Sequence, residues 1–200
     1  MKKILLAAAA AATCFAPQAF AQATNFQGFS AGGNLNLSSA NTEVRGGSTG
    51  LNLGESSQNG SVQAAYGLAV GQRGVMTFGA TYGLGDIKAG SANVGGLNTS
   101  IKAKDAYSIY FEPGYAVTES TLVYGKLAYL GAKGEVSGNG GSGSTNIDGV
   151  GYGAGVRTML NTNVYVQAEV MQSDYNDTTI SGVNYKPSAT TGTVGVGYRF

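Results

Sequence analysis

The chain has 200 residues, of which 33 are glycine and only 12% are charged, and it contains no histidine. Soluble domains carry about 25% charged residues, so the composition argues against an ordinary soluble domain. The balance of 12 basic and 11 acidic residues leaves no basic surplus for nucleic-acid binding. Without histidine, Ser–His, Asp–His and His–metal sites are excluded.

The first residues have the layout of a secretory signal peptide. Lys2 and Lys3 precede an apolar run over residues 4–16, and Ala19-Phe20-Ala21 places small residues where a signal peptidase cleaves. We predict a signal peptide over 1–21 and one mature domain over 22–200. The alternatives are a membrane anchor, for which the run is short, and a lipoprotein signal at Cys14. Cleavage would remove Cys14, the one cysteine, together with Lys2 and Lys3, leaving ten basic residues against 11 acidic ones.

Eight segments of the mature chain alternate apolar and polar residues with a period of two, which indicates β-strands. The apolar faces cover residues 29–37, 62–70, 76–84, 107–115, 123–129, 150–156, 164–170 and 194–200. No segment after the predicted signal approaches the roughly 20 apolar residues of a membrane helix. Alternation without a long apolar run is typical of strands that cross a membrane in a barrel.

The connections between the predicted strands alternate in length. Short turns are expected near 72–74, 118–120 and 161–163. Long loops, rich in Gly, Ser, Asn and Thr, are expected at about 39–60, 86–104, 134–148 and 174–189. Regular alternation favours an up-and-down barrel over a β-sandwich, which is the soluble alternative. We therefore predict an all-β fold, an eight-stranded antiparallel up-and-down transmembrane β-barrel.

The polar faces of these strands carry the charges. The predicted interior group consists of Glu112, Lys126, Arg157, Glu169 and Arg199. Glu112 and Lys126 flank one short turn, and Arg157 and Glu169 flank the next, so we expect each of these to be an ion pair. Lys126 also decides the facing of the fifth strand, where both faces are partly apolar. The group is expected to plug the lumen, and a gate of a small pore is the alternative.

Pro113 interrupts the fourth predicted strand. Proline has no N–H to donate to a ladder, and a closed barrel has no free edge. We therefore expect a bulge or bend over residues 112–114. Aromatic residues near strand ends, namely Phe29, Tyr115, Tyr198 and Phe200, are expected in the girdle at the membrane interface.

The last strand alternates Val194, Val196 and Tyr198 and stops at Phe200. This pattern resembles the C-terminal signal read by the barrel assembly machinery of the outer membrane. With the export signal and eight strands, the chain resembles the OmpA/OmpX/opacity-protein superfamily of small barrels. The resemblance implies a bacterial outer-membrane location, a monomer, and outer-membrane lipid and the assembly machinery as partners.

Members of that superfamily serve envelope integrity, adhesion and host interaction. We expect a structural and surface-display role, with the long loops binding a host or surface ligand, and keep a narrow porin-like channel as the alternative. Neither a catalytic residue nor a cofactor or metal site is expected. A Ser–Lys pair stays open as a catalytic group, although no spacing indicates one.

Overall fold

The computed structural model describes residues 23–46, 49–85, 87–94, 97–138, 141–176, 178–180 and 183–200. A 3₁₀ turn over Ala23–Phe26 precedes the strands. The strands are β1 (Gly28–Gly46), β2 (Thr49–Val70), β3 (Gly74–Leu84), β4 (Ile87–Val94), β5 (Leu97–Ala116), β6 (Thr121–Gly138), β7 (Gly141–Met159), β8 (Val164–Tyr175), β9 (Thr178–Ile180) and β10 (Val183–Arg199). No helix in these ranges is long and apolar enough to cross a membrane. The predicted signal peptide lies outside the described residues and stays a prediction.

Eight of these strands close into a barrel. Antiparallel ladders join β1, β2, β3, β5, β6, β7, β8 and β10 in that order, and β10 pairs with β1 to complete the circle. Moving around the barrel through directly paired residues leads from Ser30 to Ala40, ten residues further along β1. Such a stagger tilts the strands by about 40° to the barrel axis. The predicted eight-stranded up-and-down barrel is confirmed.

The outer wall is apolar along every barrel strand. Side chains such as Leu35, Ile109 and Val150 are 59–68% exposed in the isolated chain. The facing chosen for the fifth predicted strand is confirmed, because Leu127 is exposed while Lys126 is buried. Soluble proteins leave apolar patches of only a few hundred Å² in water, whereas exposed apolar side chains occur here on every strand of the barrel. This outer wall therefore suits a lipid environment.

The interior is filled by tyrosines that lie against glycines. Tyr110 is paired directly with Gly79 on the neighbouring strand, Tyr124 with Gly155, and Tyr165 with Gly197. A Cβ added at any of these glycines would overlap the facing phenol ring. Because these glycines have no side chain, they leave the space in which the large rings lie across the narrow lumen.

The connections differ in extent from the prediction. The short turns are confirmed at 71–73, 117–120 and 160–163. The predicted long loops, in contrast, are largely strand: β1 and β2 pair as far as Gly46 and Thr49, and β6 and β7 as far as Gly138 and Gly141. Beyond the membrane both faces of a hairpin meet water, so the apolar alternation stops while backbone pairing continues. Composition alone therefore underestimated the length of the strands in these hairpins.

Of the bulge or bend expected over residues 112–114, the bulge is wrong, and the bend stays a prediction. The register between β5 and β6 is the same on both sides of Pro113, from Phe111 paired with Leu127 to Gly114 paired with Tyr124, and only the intervening pairs are missing. The strand thus loses ladder contacts instead of inserting a residue. The irregularity in β5 lies between Lys104 and Tyr107, where Asp105 has a left-handed φ of 51°.

Candidate functional site: the barrel lumen

Four buried charges meet inside the barrel, contributed by β5, β6, β7 and β8. The Lys126 Nζ lies 3.2 Å from Glu112 Oε1 and 2.9 Å from Glu169 Oε2. The Arg157 Nη2 donates to Glu112 Oε2 at 3.0 Å. These contacts form a chain of alternating sign, Glu169–Lys126–Glu112–Arg157, which we call the ionic cluster. Two carboxylates balance two cations, so desolvation of each charge is offset by a direct partner.

Two expectations about these charges need correction. Arg157 does not pair with Glu169 but donates from Nε and Nη2 to Gln167 Oε1, at 3.1 and 3.0 Å. The reason is the β7–β8 register, which sets Arg157 directly opposite Gln167. Arg199 lies outside the ionic cluster. It donates to the carbonyl oxygens of Gln27 at 3.1 Å and Thr162 at 2.7 Å, at the end of the barrel with the short turns.

An amide belt continues the ionic cluster across the lumen. The Gln167 Nε2 donates to Gln63 Oε1 at 3.0 Å and to Asn34 Oδ1 at 3.2 Å. The Gln63 Nε2 donates in turn to the Tyr165 hydroxyl at 3.0 Å. The belt therefore links β8 to β2 and β1, on the side of the barrel away from Lys126. The alternating pattern tells that these residues face inwards but not which partners they have, because the partners lie on strands distant in sequence.

The interior tyrosines hold the ionic cluster from several sides. The Tyr124 hydroxyl donates to Glu169 Oε2 at 3.2 Å. The Lys126 Nζ lies 4.1 Å from the centre of the Tyr110 ring, and the Arg157 guanidinium lies 5.0 Å from that of Tyr165. Both distances fall in the range of cation–π attraction. Each of these tyrosines lies opposite a glycine on the neighbouring strand. This pairing could have indicated that the rings fill the lumen, but it is known only once the register between the strands is known.

The N-terminal cap, residues 23–27, closes the short-turn end of the barrel and was not anticipated. Ala23 and Phe26 are buried there against Val75, Leu122 and Tyr124. The Ala23 N–H donates to the Gln72 carbonyl at 3.1 Å. Arg199 holds the same segment through the Gln27 carbonyl. The segment carries no alternation, so nothing in its sequence pattern marked it as part of the lumen.

On the other side of the ionic cluster the lumen holds a polar cavity of about 170 Å³. Asn36, Asn59 and Thr193 line it, and Lys126 and Glu169 lie at its base. Among the described residues no group of histidine, cysteine, aspartate or glutamate side chains is placed to hold a metal ion. The lumen therefore offers a polar vestibule that ends at charges already paired.

The residues of the predicted C-terminal signal lie on the outer wall. Val194, Val196, Tyr198 and Phe200 all face outwards on or beside β10. The Phe200 ring centre lies 5.6 Å from that of Phe29 and 5.1 Å from that of Tyr198. The Phe200 N–H also donates to the Phe29 carbonyl at 2.9 Å. The terminal aromatic residue thus packs at the seam where the last strand meets the first.

Comparison with known proteins gives a matching family and similar solved structures. A family model described as "Outer membrane protein beta-barrel domain" matches residues 6–200. The structure of Neisserial surface protein A (NspA) is similar, with a TM-score of 0.56 at 19% identity, covering 87% of this chain and 98% of that one. Ail of Yersinia pestis, solved with the heparin analogue sucrose octasulfate, gives 0.53 at 17% identity, covering 87% and 100%.

At these identities the two structures show the shared fold. Comparison with curated protein sequences gives no match. The family match, in contrast, spans nearly the whole chain and agrees with the closed barrel, its apolar outer belt and its polar interior. The chain therefore belongs to the outer membrane protein β-barrel family of the bacterial outer membrane.

Proposed function

We propose that this protein is a closed structural barrel that displays its long hairpins at the cell surface. The observation that carries the proposal is the filled lumen. The N-terminal cap, the ionic cluster and the amide belt each cross the interior. An ion passing the ionic cluster would have to separate charges that are already paired, and breaking such a buried pair costs about 3–5 kcal/mol.

The parts of the protein that extend from the membrane are the paired hairpins opposite the short turns. In barrels of this class the short turns face the periplasm and the long connections face outside. Surface binding through these hairpins is therefore part of the proposal. The structure of Ail with a heparin analogue supports it by analogy of fold. Since the chain has no histidine, we propose a role without catalysis.

Conductance measurements test the closed lumen. Protein refolded from a pure preparation is added to a planar bilayer, with a 16-stranded porin refolded in parallel as a positive control. We expect the protein to insert without unitary current steps. A double variant, Lys126→Gln with Glu169→Gln, checks whether the ionic cluster contributes to the seal, while a Lys186→Gln variant serves as a control outside the lumen.

A narrow channel is the second candidate, and the polar cavity above the ionic cluster is the observation that favours it. Reproducible steps from the wild-type protein, changed in size by the double variant but not by Lys186→Gln, would establish this channel and refute the closed barrel. A deletion strain tests the surface role. Loss of adhesion without leakage of the envelope supports display, and unchanged adhesion argues against it.

A further inference from the structure

The polar cavity above the ionic cluster has two unlike walls. Side chains from β1, β2 and β10 form a polar wall, which includes Asn36 and Asn59. Side chains from β6 and β8 form an apolar wall, which includes Leu130, Met171 and Tyr175. We call this cavity, with both of its walls, the vestibule. Ligand pockets combine apolar surface with a few fixed polar groups in this way.

Hydrogen bonds hold the polar wall in place. The Thr193 hydroxyl donates to Asn36 Oδ1 at 2.9 Å. The Asn36 Nδ2 donates in turn to Asn59 Oδ1 at 2.9 Å and to Ser61 Oγ at 3.1 Å. These contacts use the oxygen of the Asn59 amide and fix its direction, so the nitrogen of that amide is turned away from Asn36.

Some donors of the polar wall are left over from these contacts. None of the residues that the structure describes accepts a hydrogen bond from Asn59 Nδ2, although the side chain lines the vestibule. Ser61 Oγ accepts from both Asn34 and Asn36, which leaves its own O–H to donate. A donor that is removed from bulk water without a partner is costly. Water or a ligand in the vestibule would offset this cost.

Glycines on β7 keep the vestibule open. A Cβ added at Gly149 would lie 3.0 Å from Tyr175 Cδ1, and one added at Gly151 would lie 3.1 Å from Met171 Sδ. Both side chains therefore rest against β7, in space that a larger residue there would take. Nearer the short turns the rings of tyrosines such as Tyr124 lie across the lumen, whereas here about 170 Å³ stays open.

The base of the vestibule favours a neutral ligand. Lys126 and Glu169 lie there, and they are paired with each other at 2.9 Å. A charged ligand would have to compete with this buried pair. Hydroxyl groups, in contrast, need only the neutral donors and acceptors of the lining. The lining also includes Thr81 and Ser108, which are paired directly on β3 and β5.

We propose that the vestibule binds one neutral polyhydroxylated molecule of the size of a monosaccharide. At about 30 Å³ for each water, the cavity has the volume of roughly six waters, which is close to that of one hexose. Sugar hydroxyls pair with Asn59 and Ser61, and the carbon face of the ring packs on the apolar wall. The ionic cluster below this site stays intact, so the proposal does not depend on whether the barrel conducts.

Sugar titration tests the site. The protein is refolded into micelles of a zwitterionic detergent, because alkyl glycosides would offer a sugar of their own. Methyl α-glucoside, methyl α-galactoside and methyl α-mannoside are added in turn, and binding is followed by saturation-transfer NMR. We expect at least one of them to bind with a Kd of about 1 mM, which is what roughly a dozen well-placed non-hydrogen atoms support.

Asn59→Leu is the test variant, because leucine keeps the size of the side chain but cannot donate a hydrogen bond. Gln58→Leu is the matched control, since Gln58 precedes Asn59 on β2 and is exposed instead of lining the vestibule. We expect Asn59→Leu to weaken binding about 10-fold and the control to bind as wild type. Tyr175→Ser should weaken binding at least about 3-fold through loss of apolar contact.

Charge and size provide further tests with the wild-type protein. Methyl α-glucuronide has the shape of the glucoside but carries a carboxylate, and it should bind at least about 10-fold more weakly. Trehalose contains two sugar rings, so it exceeds the volume of the vestibule and should not bind.

Three outcomes would overturn the proposal. The first is that no methyl hexoside binds saturably, which would mean that the vestibule holds water alone. The second is equal loss of affinity in Asn59→Leu and Gln58→Leu, and the third is binding of the glucuronide as tight as that of the glucoside. The shift of the folded band on an unheated gel shows whether each variant is a barrel. If Asn59→Leu does not fold, Tyr175→Ser decides, and unchanged binding in that variant overturns the proposal.

Discussion

Removal of Lys126 is the sharpest test of the ionic cluster, because this residue contacts both carboxylates. In a Lys126→Met variant, Glu112 keeps its hydrogen bond from Arg157, whereas Glu169 keeps only the one from Tyr124. The larger cost therefore falls on Glu169, left buried beside an apolar side chain. Breaking a buried pair costs about 3–5 kcal/mol, and we expect about 3 kcal/mol because one donor to Glu169 remains.

Neutralising one carboxylate in addition shows which ion pair of Lys126 contributes more to stability. Adding Glu169→Gln to Lys126→Met removes the unpaired charge and should recover at least about 1 kcal/mol of stability. Adding Glu112→Gln should recover nothing, because Arg157 would then lose its carboxylate. The sequence alone pointed to Glu112 as the partner to neutralise, so the structure changes the expected rescue.

Urea titration of the refolded barrel in lipid vesicles, followed by circular dichroism, measures these differences. The chain has no tryptophan, which makes the far-ultraviolet signal the practical probe. Lys133→Met is the control, since its partner Asp105 is exposed and the pair should contribute little. The reasoning is refuted if the losses from Lys126→Met and Glu169→Gln add within about 0.5 kcal/mol, the limit for independent sites, or if Glu112→Gln rescues as well.

Three other changes test topology, assembly and packing. An epitope inserted near Gly140 should be labelled on intact cells and one at Thr162 should not, because the short turns of outer-membrane barrels face the periplasm; labelling at Thr162 alone would mean that this barrel has the opposite orientation. Deletion of Phe200 should leave little protein in outer-membrane fractions, and normal insertion would show that this terminus is not read during assembly. Gly155→Ala should destabilise the barrel by about 1–3 kcal/mol through overlap with Tyr124, whereas Gly125→Ala, whose new Cβ meets only a backbone oxygen at 3.9 Å, should be nearly neutral.

The facing of the strands could be predicted because lipid and the narrow lumen impose opposite requirements on alternate residues. Leu127 and Ile109 had to face outwards and Lys126 and Glu112 inwards, and the structure has them so. A charge at the lipid side costs about 2–4 kcal/mol at the membrane centre, so the alternation is strict there. Above the membrane this constraint ends, which is why the hairpin strands of β1 and β2 were expected to be loops.

The partners within the lumen could not be predicted from the same pattern. Alternation tells which residues face inwards, but the cross-barrel contacts depend on tilt and register, and these bring Lys126 to Glu169 and Gln167 to Gln63. The N-terminal cap likewise depends on the shape of the barrel end, which only the closed sheet creates. The sequence by itself thus determined the strands and which side of each strand faces lipid or the lumen. Both follow locally, because lipid requires apolar side chains and the lumen accepts polar ones. The tertiary structure decided the pairing of the buried charges, because that depends on distances across a closed barrel.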